Sequence, residues 1–139
     1  LFEMVIEKFV SEATQRLVKD IETSNNPVQS IKNFFKNIAT TSNNVHQKGC
    51  FMGNTIAELS NIDKPLENMA IKKLKKLEQV FYEQISIAQQ NGQLKSKEDP
   101  AIIARYLVTM WNGLNITRRM YPDPNALLPL IELQLSVLK

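Results

Sequence analysis

The chain has 139 residues, 43% of them hydrophobic and 22% charged, which allows one domain with a hydrophobic core and excludes disorder as the default description. Its formal net charge of +3 is too small to indicate a nucleic-acid surface by itself, and its single cysteine excludes an internal disulfide framework and fits a cytoplasmic location. No run of about 18 apolar residues is present, so we predict no membrane-spanning segment.

The first two predicted elements are amphipathic helices. Apolar residues of the first recur at steps of three and four, which predicts one helical face made of Phe2, Ile6, Phe9, Ala13, Leu17 and Ile21. Asn26 is expected to cap the second helix, Pro27 suits its first position, and Gln29 stands three residues after the cap. The second helix is expected to bury four residues and to end in the polar run 40–44. These four are Ile31, Phe34, Phe35 and Ile38.

A short third helix is predicted over residues 51–59, and a long fourth helix follows it. Asp63, Lys64 and Pro65 form its start signal, it runs to about Gln90, and Gly92 stands just beyond its end. Its apolar stripe is expected to face the core and consists of Leu66, Ala70, Leu74, Leu77, Phe81, Ile85 and Ala88.

Two aspartate–proline pairs open the last two predicted helices. Asp99-Pro100 begins a fifth helix that reaches about Met120, and Asp123-Pro124 begins a closing sixth helix. The fold class predicted from this pattern is all-α. We expect a single bundle of about six helices, in one domain that covers residues 1–139.

The closing segment is ambiguous at short range. Between Ile131 and Val137 apolar and polar residues alternate, which alone indicates a strand. No other segment alternates in this way, so a strand here has no partner, and we predict a helix instead. Pro129 is then expected in or near the first helical turn, because deeper in the helix it produces a kink.

The last two predicted helices carry more apolar surface than one small bundle covers. Such a surface indicates an interface, and two helices from each of two chains make a symmetric four-helix interface, hence a homodimer. A helical glycine costs about 1 kcal/mol relative to alanine, so Gly113 indicates a close backbone approach. Alternatively Gly113 is merely tolerated and the fifth helix is the central one. The expected interface residues are Tyr106, Met110, Gly113, Thr117, Met120, Leu127, Leu128, Ile131, Leu135 and Leu138.

Four segments resemble TetR/AcrR-type transcription regulators, and together they cover essentially the whole chain. Residues 49–59, GCFMGNTIAEL, resemble the opening of that family's sixth helix, and residues 99–114, with their internal glycine, are similar to its eighth. Asp123-Pro124 followed by leucines looks like the start of the ninth helix. Leu1-Phe2, which opens a long amphipathic helix, looks like the fourth helix, which follows the DNA-binding head.

The resemblance implies the C-terminal ligand-binding and dimerisation domain of such a regulator. Family members carry three N-terminal helices with a helix-turn-helix, and a ligand in a pocket among helices four to eight shifts the fourth helix and spreads the DNA-binding heads. No such head precedes Leu1, so DNA contact is expected only through an N-terminal helix-turn-helix not present in this chain. The implied function is ligand sensing by a repressor that a small molecule releases from DNA.

A ligand pocket is expected where helix faces point inward. Trp111 can stack on a flat ligand, and the mid-helix residues Asn112 and Asn115 need hydrogen-bond partners that a ligand or a partner helix could supply. The phenylalanines also fit an ordinary core. Such a lining favours a small apolar or aromatic ligand. The candidate lining residues are Phe9, Phe34, Phe35, Met52, Thr55, Phe81, Tyr82, Val108, Trp111, Asn112 and Asn115.

Other polar residues have simpler interpretations. His46 and Cys50 are four residues apart, but no third or fourth ligand is evident, so neither a metal nor a cofactor is predicted. Arg118 and Arg119 are interpreted as charges that complement the dipole at the end of the fifth helix. A basic cluster is interpreted as a solvated helix face and consists of Lys72, Lys73, Lys75 and Lys76.

No arrangement of residues typical of an enzyme is present. The chain lacks a glycine-rich phosphate loop, a nucleophile elbow and a zinc-protease motif, and it has one histidine. A non-enzymatic role is therefore predicted. The alternative to a regulator is a stand-alone helical protein that binds a small molecule or lipid, or acts as a scaffold, with no gene-regulatory role.

Overall fold

The computed structural model describes residues 2–40 and 64–139 of the chain. These residues form five helices, which we number in chain order: α1 (Phe2–Thr23), α2 (Pro27–Thr40), α3 (Lys64–Gln90), α4 (Pro100–Thr117) and α5 (Pro124–Leu135). They contain no strand, so the predicted all-α class is confirmed, and the ambiguous closing segment is helical. The short helix predicted over residues 51–59 lies outside the described residues.

Three helices begin at the predicted cap-and-proline signals. The Asn26 side-chain oxygen accepts a hydrogen bond from the Gln29 backbone N–H at 3.1 Å. The Asp99 and Asp123 carboxylates each accept from the backbone N–H two residues further on, at 2.9 and 3.0 Å. Each of these bonds satisfies one of the N–H groups that a helix start leaves without an intrahelical partner, which explains why the helices begin at these points.

Helix α3 ends at a glycine in the left-handed region. Gly92 has a φ of 79°, a conformation that glycine adopts without steric cost. The chain then turns back, and the Leu94 N–H donates to the Ala88 carbonyl at 3.0 Å. The Gln89 side chain holds the following loop by donating to the Glu98 carbonyl at 2.7 Å. This loop leads directly into α4.

The core is organised around α3, which packs against α1, α2 and α4. On α1, Ala13 and Leu17 of the predicted face are buried. Phe34 and Phe35 of α2 pack on Phe81 of α3, with ring centroids 5.9 and 5.7 Å from it. All four residues predicted as buried on α2 are buried, and so are the described side chains of the α3 stripe, which are Ala70, Leu74, Leu77, Phe81, Ile85 and Ala88.

Helix α5 packs mainly against α2. It is joined to α4 by a hydrogen bond from the Tyr106 hydroxyl to the Gln134 carbonyl, at 3.0 Å. Pro129, predicted in or near the first turn, is the sixth residue of the helix and lies in its second turn. Proline lacks the N–H that would bond to the carbonyl of Asn125, four residues back. Because Asn125 is exposed, water can serve that carbonyl, which explains why the position is tolerated.

The loop between α3 and α4 also binds the last residue of the chain. The backbone N–H groups of Lys95 and Ser96 both donate to the Lys139 carbonyl, at 2.8 and 2.9 Å. Leu94 and Leu138 are buried beside these bonds and extend the core to this end of the bundle. Among the described residues, no helix is both long enough and apolar enough to cross a membrane.

Candidate functional site

A cavity of about 370 Å³ lies between α1, α2 and α4. This volume falls in the range of small-molecule sites in proteins. The inner wall is buried and is formed by Leu17, Phe34, Ile38, Trp111, Asn115 and Arg118. The rim is exposed and polar, and it is formed by Arg16, Lys19, Asp20 and Asn37. The site therefore combines a buried wall, mostly apolar but with Asn115 and Arg118 in it, with a polar and charged entrance.

A chain of hydrogen bonds crosses the α4 side of the cavity. The Asn115 side-chain amide donates to the Trp111 carbonyl at 2.8 Å, and its oxygen accepts from Nη1 of Arg118 at 3.0 Å. The three residues share one face of the helix because they are spaced by four and three positions. Asn115 thus satisfies both ends of its amide within its own helix and holds the Arg118 guanidinium in place.

Arg118 is buried but only partly satisfied. Its relative exposure is 2%, and its Nε and Nη2 atoms have no hydrogen-bond partner among the described residues. Burial lowers the pKa of Arg118 from its ordinary value to about 10, because desolvation disfavours the charged form. The guanidinium nevertheless keeps its charge at neutral pH, since this pKa lies well above 7. The cavity therefore holds a buried cation with two unused donors.

The charges around the cavity are mainly positive. Arg16, Lys19 and Arg118 contribute cations, and Asp20 contributes the single carboxylate among the lining residues. The ion pairs among the described residues include Lys8–Glu12 and Lys64–Glu67, and none of those found joins Asp20 to Arg118 within 4.0 Å. The positive charge in this region is not neutralised by the lining residues themselves.

The structure brings three of the predicted ligand-site residues together in this cavity: Phe34, Trp111 and Asn115. Phe35 and Phe81 belong to the core and do not line it. Tyr82 of α3 is exposed, and Val108 and Asn112 of α4 are half-buried; none of the three lines the cavity. The remaining candidates lie outside the described side chains, and they are Phe9, Met52 and Thr55.

Sequence reasoning missed the charged part of the cavity. It interpreted Arg118 as a charge at the end of a helix, and this interpretation is corrected by the burial of the side chain. The signal that could have found it is spacing, since Arg118 lies three and seven positions after Asn115 and Trp111 and therefore on the same helical face. The rim residues gave no such signal, because exposed charges occur on nearly every helix.

The predicted dimer-interface residues divide into two groups. Five are buried in the chain's own core, and these are Met110, Leu127, Ile131, Leu135 and Leu138. The other five, Tyr106, Gly113, Thr117, Met120 and Leu128, are exposed or half-buried. Helices α4 and α5, which carry most of these residues, are apolar nearly all round, so periodicity alone could not distinguish their inward faces from their outward faces.

A row of exposed residues, which we call the outer stripe, follows the outward face of α4 and ends in the turn after it: Ile102, Tyr106, Gly113, Ile116 and Met120. They recur at helical spacing, and Met120 is 69% exposed. On α5 and just beyond it, Leu133 and Val137 are also exposed. A Cβ atom at Gly113 would meet nothing within 4 Å, so packing within this chain does not require a glycine there.

The remaining predicted features are the lysine cluster and the residues considered as metal ligands. Lys72, Lys75 and Lys76 are exposed and Lys73 is half-buried, in agreement with a solvated face. His46 and Cys50 lie outside the described residues. Within residues 2–40 and 64–139, no group of three or more histidine, cysteine, aspartate or glutamate residues could hold a metal ion.

Comparison with known proteins assigns the chain to a family. Residues 27–131, more than half of the chain, match the family described as "Tetracyclin repressor-like, C-terminal domain". The chain is 24% identical over 110 residues to the HTH-type transcriptional repressor DhaR of Mycobacterium sp. (strain GP1), an alignment that covers 78% of this chain and 54% of that protein. The chain thus spans about half the length of this relative. No solved structure matches it. The chain belongs to the tetracyclin repressor-like C-terminal domain family.

Proposed function

We propose that this chain is the ligand-sensing and homodimerising domain of a TetR-type transcriptional repressor. The observation that carries the proposal is the cavity between α1, α2 and α4, which has the volume of a small-molecule site and a buried wall of aromatic, aliphatic and polar side chains. Membership of the family and the similarity to an HTH-type repressor support the regulatory part of the proposal.

In the proposed mechanism, a ligand acts on α1. This helix contributes Arg16, Leu17, Lys19 and Asp20 to the cavity, so a ligand bound there contacts it directly. In the intact protein, we propose that a helix-turn-helix N-terminal to this domain contacts DNA and that α1 connects it to the cavity. A ligand that binds one position of α1 better than the other shifts the balance between DNA-binding and released states.

We propose that the outer stripe on α4, together with Leu133 and Val137, forms the interface with a second copy of this chain. Contiguous exposed apolar surface usually marks an interaction site, because leaving it in water is unfavourable. Gly113 lies within the stripe and has open space where a side chain would project, so a partner helix could approach it closely. The Tyr106–Gln134 hydrogen bond links α4 to α5 at one point.

The ligand part of the proposal is tested by fluorescence, because Trp111 is the single tryptophan of the chain and lines the cavity. A collection of small molecules is titrated against the purified chain, and saturable changes in tryptophan emission are recorded. We expect at least one class of compounds to bind. The intact protein is then tested for DNA binding with and without that compound, and an unchanged DNA affinity contradicts the sensing role.

The dimer part is tested by sedimentation of the purified chain. We expect a dimer at micromolar concentration. A monomer under these conditions contradicts the proposed interface and leaves the cavity unaffected, so the two parts of the proposal fail independently.

A further inference from the structure

The buried end of the cavity contains a charge for which the described residues offer no counter-charge. Arg118 is almost fully buried, and two of its donor atoms have no partner among the described residues. A buried ionised group normally pairs with an opposite charge, because desolvation without compensation is costly. The attraction between a cation and the C-terminal end of a helix is small by comparison, so the position of Arg118 at the end of α4 does not offset this cost.

The two unused donors lie on one edge of the guanidinium group. Nη1 is occupied by Asn115, whereas Nε and Nη2 remain. Nε and Nη2 project their N–H bonds in parallel, and this is the edge that binds a carboxylate through two hydrogen bonds at once. Asn115 is therefore a positioning residue, since it holds the guanidinium through Nη1 and leaves the edge formed by Nε and Nη2 available to bind a carboxylate.

We infer that the ligand of this cavity is an organic carboxylate whose anionic group pairs with Nε and Nη2 of Arg118. This inference rests on the proposed sensing function and specifies the chemical class of its ligand. The other buried lining residues indicate the chemical character of the rest of the ligand. They offer apolar and aromatic contact, and they are Leu17, Phe34, Ile38 and Trp111. An aromatic carboxylate fits this combination of one fixed charge and an apolar body.

The rim of the cavity supports the same ligand class. Arg16 and Lys19 are exposed at the entrance, where they attract an approaching anion. Asp20 is the single carboxylate among the lining residues and is also exposed, so it does not take the place of the ligand at the buried end. A neutral ligand of the same shape would leave Arg118 without a counter-charge.

The test compares matched probes that differ in charge. Benzoate and 1-naphthoate are titrated against the full chain beside benzamide and 1-naphthamide, with Trp111 fluorescence and calorimetry as readouts. We expect saturable binding of at least one of the two carboxylates, and binding of its amide to be weaker by roughly 30-fold or more, the ratio that follows from removing one partner of a buried charge pair.

A substitution at the cation gives the second readout. Arg118→Met keeps an unbranched side chain of similar reach and removes the charge. We expect it to lower carboxylate affinity by roughly 30-fold or more and to leave amide affinity unchanged. Arg105→Met is the matched control, because Arg105 is exposed on the same helix and does not line the cavity. The control should change neither affinity nor melting temperature appreciably.

The outcomes separate this inference from the function on which it rests. Amides that bind as tightly as the carboxylates overturn the charge pairing but leave the cavity as a ligand site. An unchanged carboxylate affinity in Arg118→Met shows that the anion does not pair with this cation, and this overturns the inference as well. If no carboxylate binds at millimolar concentration while an unrelated neutral compound changes Trp111 emission, the inference fails and the sensing function stands. If no compound of any class binds, both fail.

Discussion

The inward and outward faces of α4 show opposite mismatches between residue type and environment. The inward face buries the guanidinium of Arg118, which would be more stable in water or beside an anion. The outward face exposes Ile102, Ile116 and Met120, which would be more stable inside a core. Within residues 2–40 and 64–139, packing resolves neither mismatch. In the proposed function, this one helix serves two external partners, a ligand on one side and a second copy on the other.

The two faces also differ in what holds the chain itself together. Side chains on the inward face contribute to folding through burial, whereas those of the outer stripe contribute little to an isolated chain because water still reaches them. Substitutions on the inward face should therefore change the free energy of unfolding of each chain. Substitutions on the outer stripe should change association between chains.

The largest expected effect is on the inward face. Trp111→Ala removes a buried indole, and we expect a loss of about 3–5 kcal/mol in the free energy of unfolding, together with weaker ligand binding. Met120→Ala, on the outer stripe, should change the stability of the chain itself by less than about 0.5 kcal/mol. Urea unfolding at equal protein concentration measures both. Similar losses for the two variants would contradict the distinction between the faces.

A charged side chain in the middle of the outer stripe should break the dimer. Gly113→Arg places a long cation where the partner helix is proposed to approach, and we expect the dimer dissociation constant to rise roughly 30-fold or more, about 2 kcal/mol. Sedimentation velocity measures this change. The control is Gln90→Arg, an exposed position at the end of α3 away from the stripe. An unchanged dimer in the Gly113 variant would remove this face from the interface.

The charge on the inward face predicts how binding depends on pH. Carboxylate binding requires protonated Arg118, whose pKa burial lowers to about 10. We expect the affinity for 1-naphthoate to be constant between about pH 6 and 8, and to fall by up to about tenfold per unit above pH 10, as the free protein loses this proton. Titration calorimetry measures the profile. Arg16, Lys19 and Asp20 also face the cavity, and a Lys19→Met variant separates the contribution of the rim.

The smallest expected effects come from two glycines. Gly92→Ala should lower the free energy of unfolding by about 1 kcal/mol, because the φ of 79° at this position is unfavourable for alanine.

Gly113→Ala should raise the free energy of unfolding by up to about 1 kcal/mol, because alanine favours helix and a Cβ at this position meets nothing within 4 Å. Urea unfolding at two protein concentrations sharpens the result. If Gly113→Ala stabilises the dimer as much as it stabilises the monomer, the partner helix does not approach this position closely.

Much of the fold could be predicted because its signals are local. Asn26, Asp99 and Asp123 cap their helices through hydrogen bonds that involve residues two or three positions away, and Gly92 ends α3 where the sequence placed the end. The position of Pro129 could not be predicted in the same way. The cost of a proline inside a helix depends on whether water reaches the carbonyl it leaves unpaired, and this depends on the tertiary packing.

The site was predicted less completely, since it depends on which faces of different helices meet. Periodicity placed Trp111 and Asn115 on a common face, but the contribution of Arg16 and Lys19 from α1 follows from helix packing alone. The burial of Arg118 was missed because a cation at a helix end has a sufficient local explanation. Its environment contradicts that explanation, and this is why the structure was needed to find the charged wall of the cavity.

The position of the cavity has a consequence for the entropy of the domain. Helix α1 packs on α2 and α3, and α4 packs on α3, whereas the cavity lies between α1 and α4. A carboxylate held by Arg118 at one end and in contact with Leu17 at the other would link the two helices directly. Such a link restricts the conformational freedom of α1, so the ligand can alter the response of the domain by narrowing the range of α1 positions as well as by displacing the helix.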